Sequence, residues 1–190
     1  MTSGRTAAIA IAAVAVGILG ATAYLTLPRW YRRPEVRTAG PAASAPVVGR
    51  KIKARLFYVS EDGTRLVGVE RDVPFAEGSD QAREIVAAQI APVAEPLVSA
   101  VPPGTTLRAL FVTDRGRAYV DLSHDVTAAH SGGTLDELLT VYTIVDALTV
   151  NLPGVQSVQI LIDGKEAQTL AGHVDLRQPL TSNLSLVEQP

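Results

Sequence analysis

The chain has 190 residues, of which 47% are hydrophobic and 5% aromatic, with a formal net charge of −2 and no cysteine. That length admits one folded domain with appendages, and the missing cysteine excludes disulfides, thiolate metal sites, cysteine nucleophiles and a lipidated-cysteine anchor. Residues 1–49 carry five Arg against one acid while residues 50–190 carry twelve Lys/Arg against eighteen Asp/Glu, so the main domain repels phosphate backbones and offers few stacking rings, which argues against nucleic acid as a partner.

From Ala7 to Leu27 there are 21 residues without a charge. At about 1.5 Å per residue, a helix of that length crosses a hydrocarbon core about 30 Å thick. Trp30 and Tyr31 follow, suited to the headgroup interface, with Arg29, Arg32 and Arg33 around them. Residues 1–28 therefore read as a transmembrane anchor or uncleaved signal, with the lipid bilayer as the partner of Ala7–Leu27. The competing reading is a cleaved signal peptide ending at Ala21-Thr22-Ala23. The apolar run continues past that site through Tyr24, Leu25 and Leu27, which favours the retained anchor. Counting flanking Arg alone places the domain in the cytoplasm, because the C-terminal flank is the more basic. Residues 29–49 form a basic, then Pro/Ala-rich linker without hydrophobic period.

The domain is expected over residues 50–180. Lys51–Val59 alternates as a strand, with Ile52, Ala54, Leu56 and Tyr58 on one face. Glu61-Asp62-Gly63 signals a hairpin turn, and Arg65–Val73 returns as a second strand. Ser79 opens a helix to about Ala91, with Ala82, Val86 and Ile90 at helical spacing, before Pro92 and Pro96. Strands follow at Thr105–Thr113 and Arg117–Leu122 around Asp114-Arg115-Gly116.

Thr134-Leu135-Asp136-Glu137 fits a capping box, in which Glu137 reaches back to the start of its own helix. That helix carries Leu138, Tyr142, Val145 and Leu148 on one face and ends at Asn151–Gly154. Val155–Ile162 is a fifth strand, Asp163-Gly164-Lys165 turns the chain, and a sixth strand runs from Glu166 to about Leu170. Gly172–Leu176 reads as short and extended. The tail, residues 181–190, reads as loose, with Leu184, Leu186 and Val187 able to dock. The order ββα-ββα-ββ predicts an α+β fold, a mixed or antiparallel sheet with two helices packed on one face. The two ββα units hint at an internal repeat.

Chemistry-bearing motifs are few. Ser123-His124-Asp125 has the residue types of a hydrolytic triad, yet three consecutive residues in an extended chain do not converge, and no G-x-S-x-G elbow accompanies them. A strand end running into a polar loop is the plainer reading. His124, His130 and His173 match no helical metal-ligand spacing. His173 and Asp175 fall on one face if residues 172–176 are extended. Gly132-Gly133 ahead of a helix lacks a P-loop Lys and reads as a hinge.

Several ordered motifs together resemble the GerMN domain family of bacterial sporulation and spore-germination proteins. They are Leu56-Phe57-Tyr58 with Asp62-Gly63, Ala100–Thr105, Ala118–Ser123, Gly132-Gly133 with Glu137–Leu139 and Val141–Val145, Leu152–Val155, Ile162–Lys165 and Leu170–Leu176. The resemblance spans about residues 51–180. It implies a non-catalytic, extracytoplasmic domain, similar to ring-building folds, held at the cell envelope by a lipoprotein or membrane anchor. It carries over no catalytic residue. The chain departs in having one domain copy and no lipobox cysteine, so the N-terminal helix stands in for the lipid anchor.

The expectation is therefore a single-pass membrane protein with its domain on the extracytoplasmic side. It is a scaffold or interaction module without enzyme activity, cofactor or metal. Asp121, Glu137, Tyr142, His173 and Asp175 are nominated as a ligand or partner surface. Self-association or an envelope protein is the first candidate partner. Peptidoglycan is the second, and it requires an aromatic platform from among Phe57, Tyr58, Phe75, Phe111, Tyr119 and Tyr142. An envelope hydrolase is the third.

Overall fold

The computed structural model describes residues 49–189. The expected anchor Ala7–Leu27 and the linker up to residue 48 lie outside the described residues. Among the described residues no helix is long and apolar enough to cross a membrane.

Strands β1 (Lys51–Val59) and β2 (Leu66–Pro74) pair antiparallel with Val59 opposite Leu66. Asp62 organises the turn. Its carboxylate accepts the Ser60 hydroxyl at 2.7 Å, the Thr64 amide at 3.0 Å and the Thr64 hydroxyl at 2.8 Å. The Ser60 hydroxyl first, then the Thr64 groups, hold its pKa down to about 2. Helix α1 (Ser79–Ile90) follows, then β3 (Leu107–Val112) and β4 (Arg117–Leu122). One turn, α2 (Asp125–Ala128), leads into the long helix α3 (Thr134–Asn151), then β5 (Ser157–Ile162) and the two-residue β6 (Lys165–Glu166).

The α+β class stands, and the larger sheet is mixed: its order is β3-β4-β5-β6, with β4–β5 parallel and the outer pairs antiparallel. The strands do not all join one sheet, however, because the β1–β2 hairpin remains a separate pair. The reason lies on the second edge of β1. Gln89 of α1 accepts the Phe57 N–H at 2.9 Å and donates to the Phe57 carbonyl at 2.7 Å. Asn151 at the end of α3 does the same for Arg55, at 2.8 Å each way. Val59 N–H goes to Val98 O at 2.8 Å, and Thr143 Oγ1 adds a second donor to Phe57 O. A side-chain amide presents one acceptor and one donor, as a peptide unit does, so two helices stand in for the missing strand.

The helices consequently serve two cores. Val141, Ile144, Val145 and Leu148 of α3 join one cluster with β3, β4 and β5, while Leu139 and Ala147 join another with the hairpin. A helix packed from two sides is apolar nearly all round, and α3 has no clean polar face. The single stripe read from Leu138, Tyr142, Val145 and Leu148 captures only part of it.

The expected capping box does not form. Gly133 is the N-cap, no side chain caps it, and Thr134 is already helical. The tail is docked rather than loose. Leu180 bridges Val158, Val187 bridges Leu66, and Glu188 N–H reaches Leu66 O at 2.8 Å. Between them, Ser182 and Asn183 both donate to Asp146 of α3, at 2.8 and 2.9 Å. Residues 180–188 thus tie the four-stranded sheet, α3 and the hairpin together.

Gln89→Ala leaves the buried Phe57 N–H without an acceptor and is expected to cost about 2–3 kcal/mol. Asn151→Ala, at a partly exposed edge where water can replace the amide, is expected to cost about 1 kcal/mol or less. Urea unfolding of the full chain, followed by circular dichroism, compares the two.

Candidate functional site

The nominated residues do not form one surface. Glu137 is fully buried in the first turn of α3. Its two oxygens accept the N–H groups of Leu170 at 2.7 Å and His173 at 2.8 Å, and His173 Nδ1 lies 3.1 Å away. Burial pushes its carboxyl up, but the N–H groups of Ala171, His173, Leu170 and Val174 together outweigh that and hold it below the usual range. The chain curls around this carboxylate, with Gly172 at φ 101°. Residues 172–176 are bent at Gly172 and form no strand, though Val174 and Leu176 are buried and His173 and Asp175 are not, and His173 is held by Glu137.

Asp175 is instead exposed and pairs bidentately with Arg177, at 2.9 and 2.7 Å. The guanidinium is the main reason its pKa lies near 2. Asp121, mostly buried on β4, accepts the Gly164 N–H at 2.7 Å and Arg108 Nε at 3.3 Å. Arg108 also reaches Asp163 at 3.1 Å, so Asp121 secures the β5–β6 turn, where Asp163 takes φ 51° and Gly164 φ 75°. Tyr142 is half-buried between the two cores. Burial, and then the Asp146 carboxylate, push its hydroxyl up. Of the five, Glu137 and His173 are the two joined by a hydrogen bond.

Asp146 has no counterpart in the sequence reading. It is fully buried, its Oδ1 takes both bonds from the tail, and its Oδ2 has no hydrogen-bond partner. Burial raises its pKa, against the Asn183 and Ser182 bonds.

Ser123, His124 and Asp125 are not arranged as a triad. Ser123 Oγ donates directly to Asp125 Oδ2 at 2.8 Å, and His124 Nδ1 faces Thr127 Oγ1 at 3.2 Å. Ser123 Oγ also accepts the Thr106 N–H, as expected of a polar strand end. Among the described residues no group of His, Asp and Glu could hold a metal ion.

Two concavities stand out among the described residues. One, of about 370 Å³, lies between Val98–Pro103 and the start of α3. Its His130 Nδ1 accepts the Gly132 N–H, so Nε2 carries the proton in the neutral ring and faces Thr140 Oγ1 at 3.2 Å, which in turn lies 2.6 Å from Ala100 O. The other, of about 560 Å³, lies at the β3–β4 hairpin and the start of β5, where Arg115, Arg117 and Tyr119 line it. Beside it Phe111, opposite Tyr119 across the strands, is 66% exposed. Neither Arg115 nor Arg117 is nominated from sequence, and Phe111 stands there only as one of six aromatics that could form a platform. On β3 the run Leu110-Phe111-Val112 is apolar at every position, so alternation gives no sign of which side faces out.

The geometry defines a mixed α+β domain whose histidines and carboxylates are largely taken up in holding its own loops. The family described as Germane, sporulation and spore germination, matches residues 55–168, and the chain belongs to it through a GerMN-type domain. One solved structure agrees on the fold, and two others are similar. Tandem GerMN domains of the Bacillus subtilis sporulation protein GerM align at 18% identity and a TM-score of 0.54, over 70% of this chain and 46% of that one. The first GerMN domain of the same protein aligns at 17% identity and a TM-score of 0.49, over 70% and 96%. A Clostridium perfringens protein, provisionally described as a lipoprotein, aligns at 19% and 0.49, over 73% and 91%. No curated protein sequence matches the chain.

The two buried carboxylates of α3 act on stability with opposite sign. The contribution of Glu137, with its pKa depressed, is present above the ordinary carboxylate value and is lost as pH falls through its folded pKa. That of Asp146, with its pKa raised, is present below the ordinary value and is lost as pH rises through its folded pKa. Glu137→Gln is expected to cost about 2–3 kcal/mol at neutral pH and to flatten the acid limb of a stability–pH profile. Asp146→Asn is expected to flatten the decline above the ordinary carboxylate range, read from urea midpoints of the full chain across pH.

Proposed function

We propose that the chain is a membrane-tethered, extracytoplasmic interaction module of the bacterial cell envelope and that it performs no catalysis. The observation that carries this reading is the fate of the polar groups. Glu137, Asp121 and Asp175 are engaged by backbone N–H groups or arginines, and Ser123 bonds Asp125 without His124 between them. Side chains held this way position loops, and the Ser123–Asp125 run does not supply the nucleophile–base pair of a hydrolase. The tether rests on the 21 uncharged residues Ala7–Leu27. The extracytoplasmic side rests on the family's sporulation and germination setting, against the Arg count of the anchor's flank. Self-association or an envelope protein is the partner this reading names first.

A second reading, a wall-glycan module, is favoured by one feature. Phe57 and Tyr58 lie in the core and Phe75 is covered by the Arg50 guanidinium at 3.9 Å, but Phe111 stands exposed on the open face of the four-stranded sheet.

The absence of native cysteine makes the topology directly testable. Ser131→Cys, on an exposed loop, is expected to react with a membrane-impermeant maleimide in intact cells, or in osmotically opened ones where an outer membrane intervenes. Labelling only after the inner membrane is broken would put the domain in the cytoplasm and reject the proposal.

A further inference from the structure

We infer that the depression at the β3–β4 hairpin is a binding pocket for a carboxylate-bearing sugar, with Arg115 and Arg117 holding the acid and Phe111 and Tyr119 taking the ring. This rests on the wall-glycan reading and gives it a location and a ligand class.

Residues 50–190 have an excess of acids, and Lys53, Arg108 and Arg177 are matched by Asp72, by Asp121 and Asp163, and by Asp175; of the cations without such a match, Arg115 and Arg117 are the pair that line one concavity. Among the described residues neither Arg115 nor Arg117 has a carboxylate within salt-bridge distance. The polar partner of the Arg117 guanidinium is the Tyr119 hydroxyl, 3.4 Å from Nη1. Asp114 also borders the depression but pairs with neither. Two guanidiniums in one concavity, each with free donors, match the planar, bidentate demand of a carboxylate.

The floor is rigid. Gly116, between the two arginines, takes φ 73°, and a Cβ there would meet Gly154 O at 2.6 Å. Its N–H bonds Thr113 O at 2.9 Å, and its carbonyl accepts Gln156 N–H at 2.7 Å. Arg117 is fixed in turn, its N–H on Thr113 Oγ1 and its carbonyl accepting Thr113 N–H. A hairpin so fixed sets the spacing of the two arginines before any ligand arrives, which lowers the ordering cost of binding.

Shape and composition favour a sugar over an acidic protein. A volume of about 560 Å³ is that of a small-ligand pocket. Arg117 and Tyr119 alternate with the core residues Ala118 and Val120, so they face outward with Phe111, and Ser157 lies beside Arg117 in the β4–β5 register. An exposed ring next to hydroxyls and guanidiniums offers stacking for the apolar face of a pyranose and hydrogen bonds for its rim. Protein interfaces of ordinary size have a broader desolvated apolar centre, and Phe111 is the one large hydrophobic side chain strongly exposed on this face among the described residues.

The test titrates the full chain, in detergent micelles, with N-acetylmuramic acid, N-acetylglucosamine and hexaglutamate, reading amide shifts by NMR. N-acetylmuramic acid is expected to bind about tenfold or more tightly than N-acetylglucosamine, which has the same ring without the carboxylate. Arg115→Gln and Arg117→Gln are expected to remove that preference. Phe111→Ala is expected to weaken both sugars alike. Circular dichroism checks that these surface variants fold. Equal binding of the two sugars, preferential binding of hexaglutamate, or no shift at millimolar sugar each overturns the inference. Co-sedimentation with purified sacculi, treated with a muramoyl-alanine amidase so that the lactyl carboxylates are free, separates this from the parent reading. If wild type and the double arginine variant sediment equally, the wall reading stands and the pocket falls. If wild type does not sediment, the wall reading itself fails.

Discussion

The second edge of β1 determines how the rest of the molecule is arranged. A strand paired on one side only exposes a row of N–H and C=O groups, which must be satisfied or will recruit another strand. Here Arg55, Phe57 and Val59 are satisfied in turn by Asn151, Gln89 and the Val98 carbonyl. Because two of these partners are helix side chains, α1 and α3 must lie directly against the strand. The hairpin therefore packs on the helices instead of extending the four-stranded sheet, and the helices acquire a second apolar face. The division of the core into two clusters, the all-round burial of α3 and the separate hairpin all follow from the same lacing.

Helix α3 carries a second kind of constraint, two buried carboxylates three turns or less apart that are solvated very differently. Glu137 is enclosed by backbone N–H groups of the 170–174 loop, the arrangement that best replaces water around a negative charge. Asp146 has bonds on one oxygen only. Both fix a segment that has little regular structure of its own: Glu137 shapes the loop after β6, and Asp146 holds the C-terminal tail across the helix. Polar groups here do the work that a further strand pairing would do in a more regular fold.

Much of the secondary structure was legible in sequence. Lys51–Val59 and Arg117–Leu122 emerge with the bounds that alternation and the flanking turn residues imply, and Ser79 opens α1 as expected. The failures share a cause, which is that a local pattern was answered by a distant partner. Thr134 to Glu137 has the spacing of a capping box, yet the Glu side chain bonds a loop more than thirty residues away. Before the same loop β6 ends at Lys165–Glu166, and within and after it His173 is taken up by Glu137 while Asp175 pairs with Arg177. Gln89 and Asn151 look like ordinary polar helix positions, because nothing in their neighbourhood reveals that a strand edge lies opposite. The candidate site was less legible still. Charge and hydropathy patterns along one strand do not report which arginines end without a partner, and that depends on where every acid falls in three dimensions.

A division of labour within the domain emerges from this. The GerMN motif residues nominated from sequence, Asp121, Glu137, Tyr142 and His173 among them, bear on the inner architecture: a turn, a loop clasp, the seam between two cores. Residues fully engaged in such bonds gain nothing from a ligand and lose stability if one displaces them. Recognition is better served by groups whose bonding capacity the fold leaves open, and the β3–β4 hairpin gathers several of them, Phe111, Arg117 and Tyr119 on the outward side of the strands and Arg115 in the turn. The inward side of the same strands, Leu110, Ala118 and Val120, is core. The strict alternation of a strand thus lets one short segment keep a fixed packing face while its other face is free to vary, so that domains alike in fold can differ in what they bind.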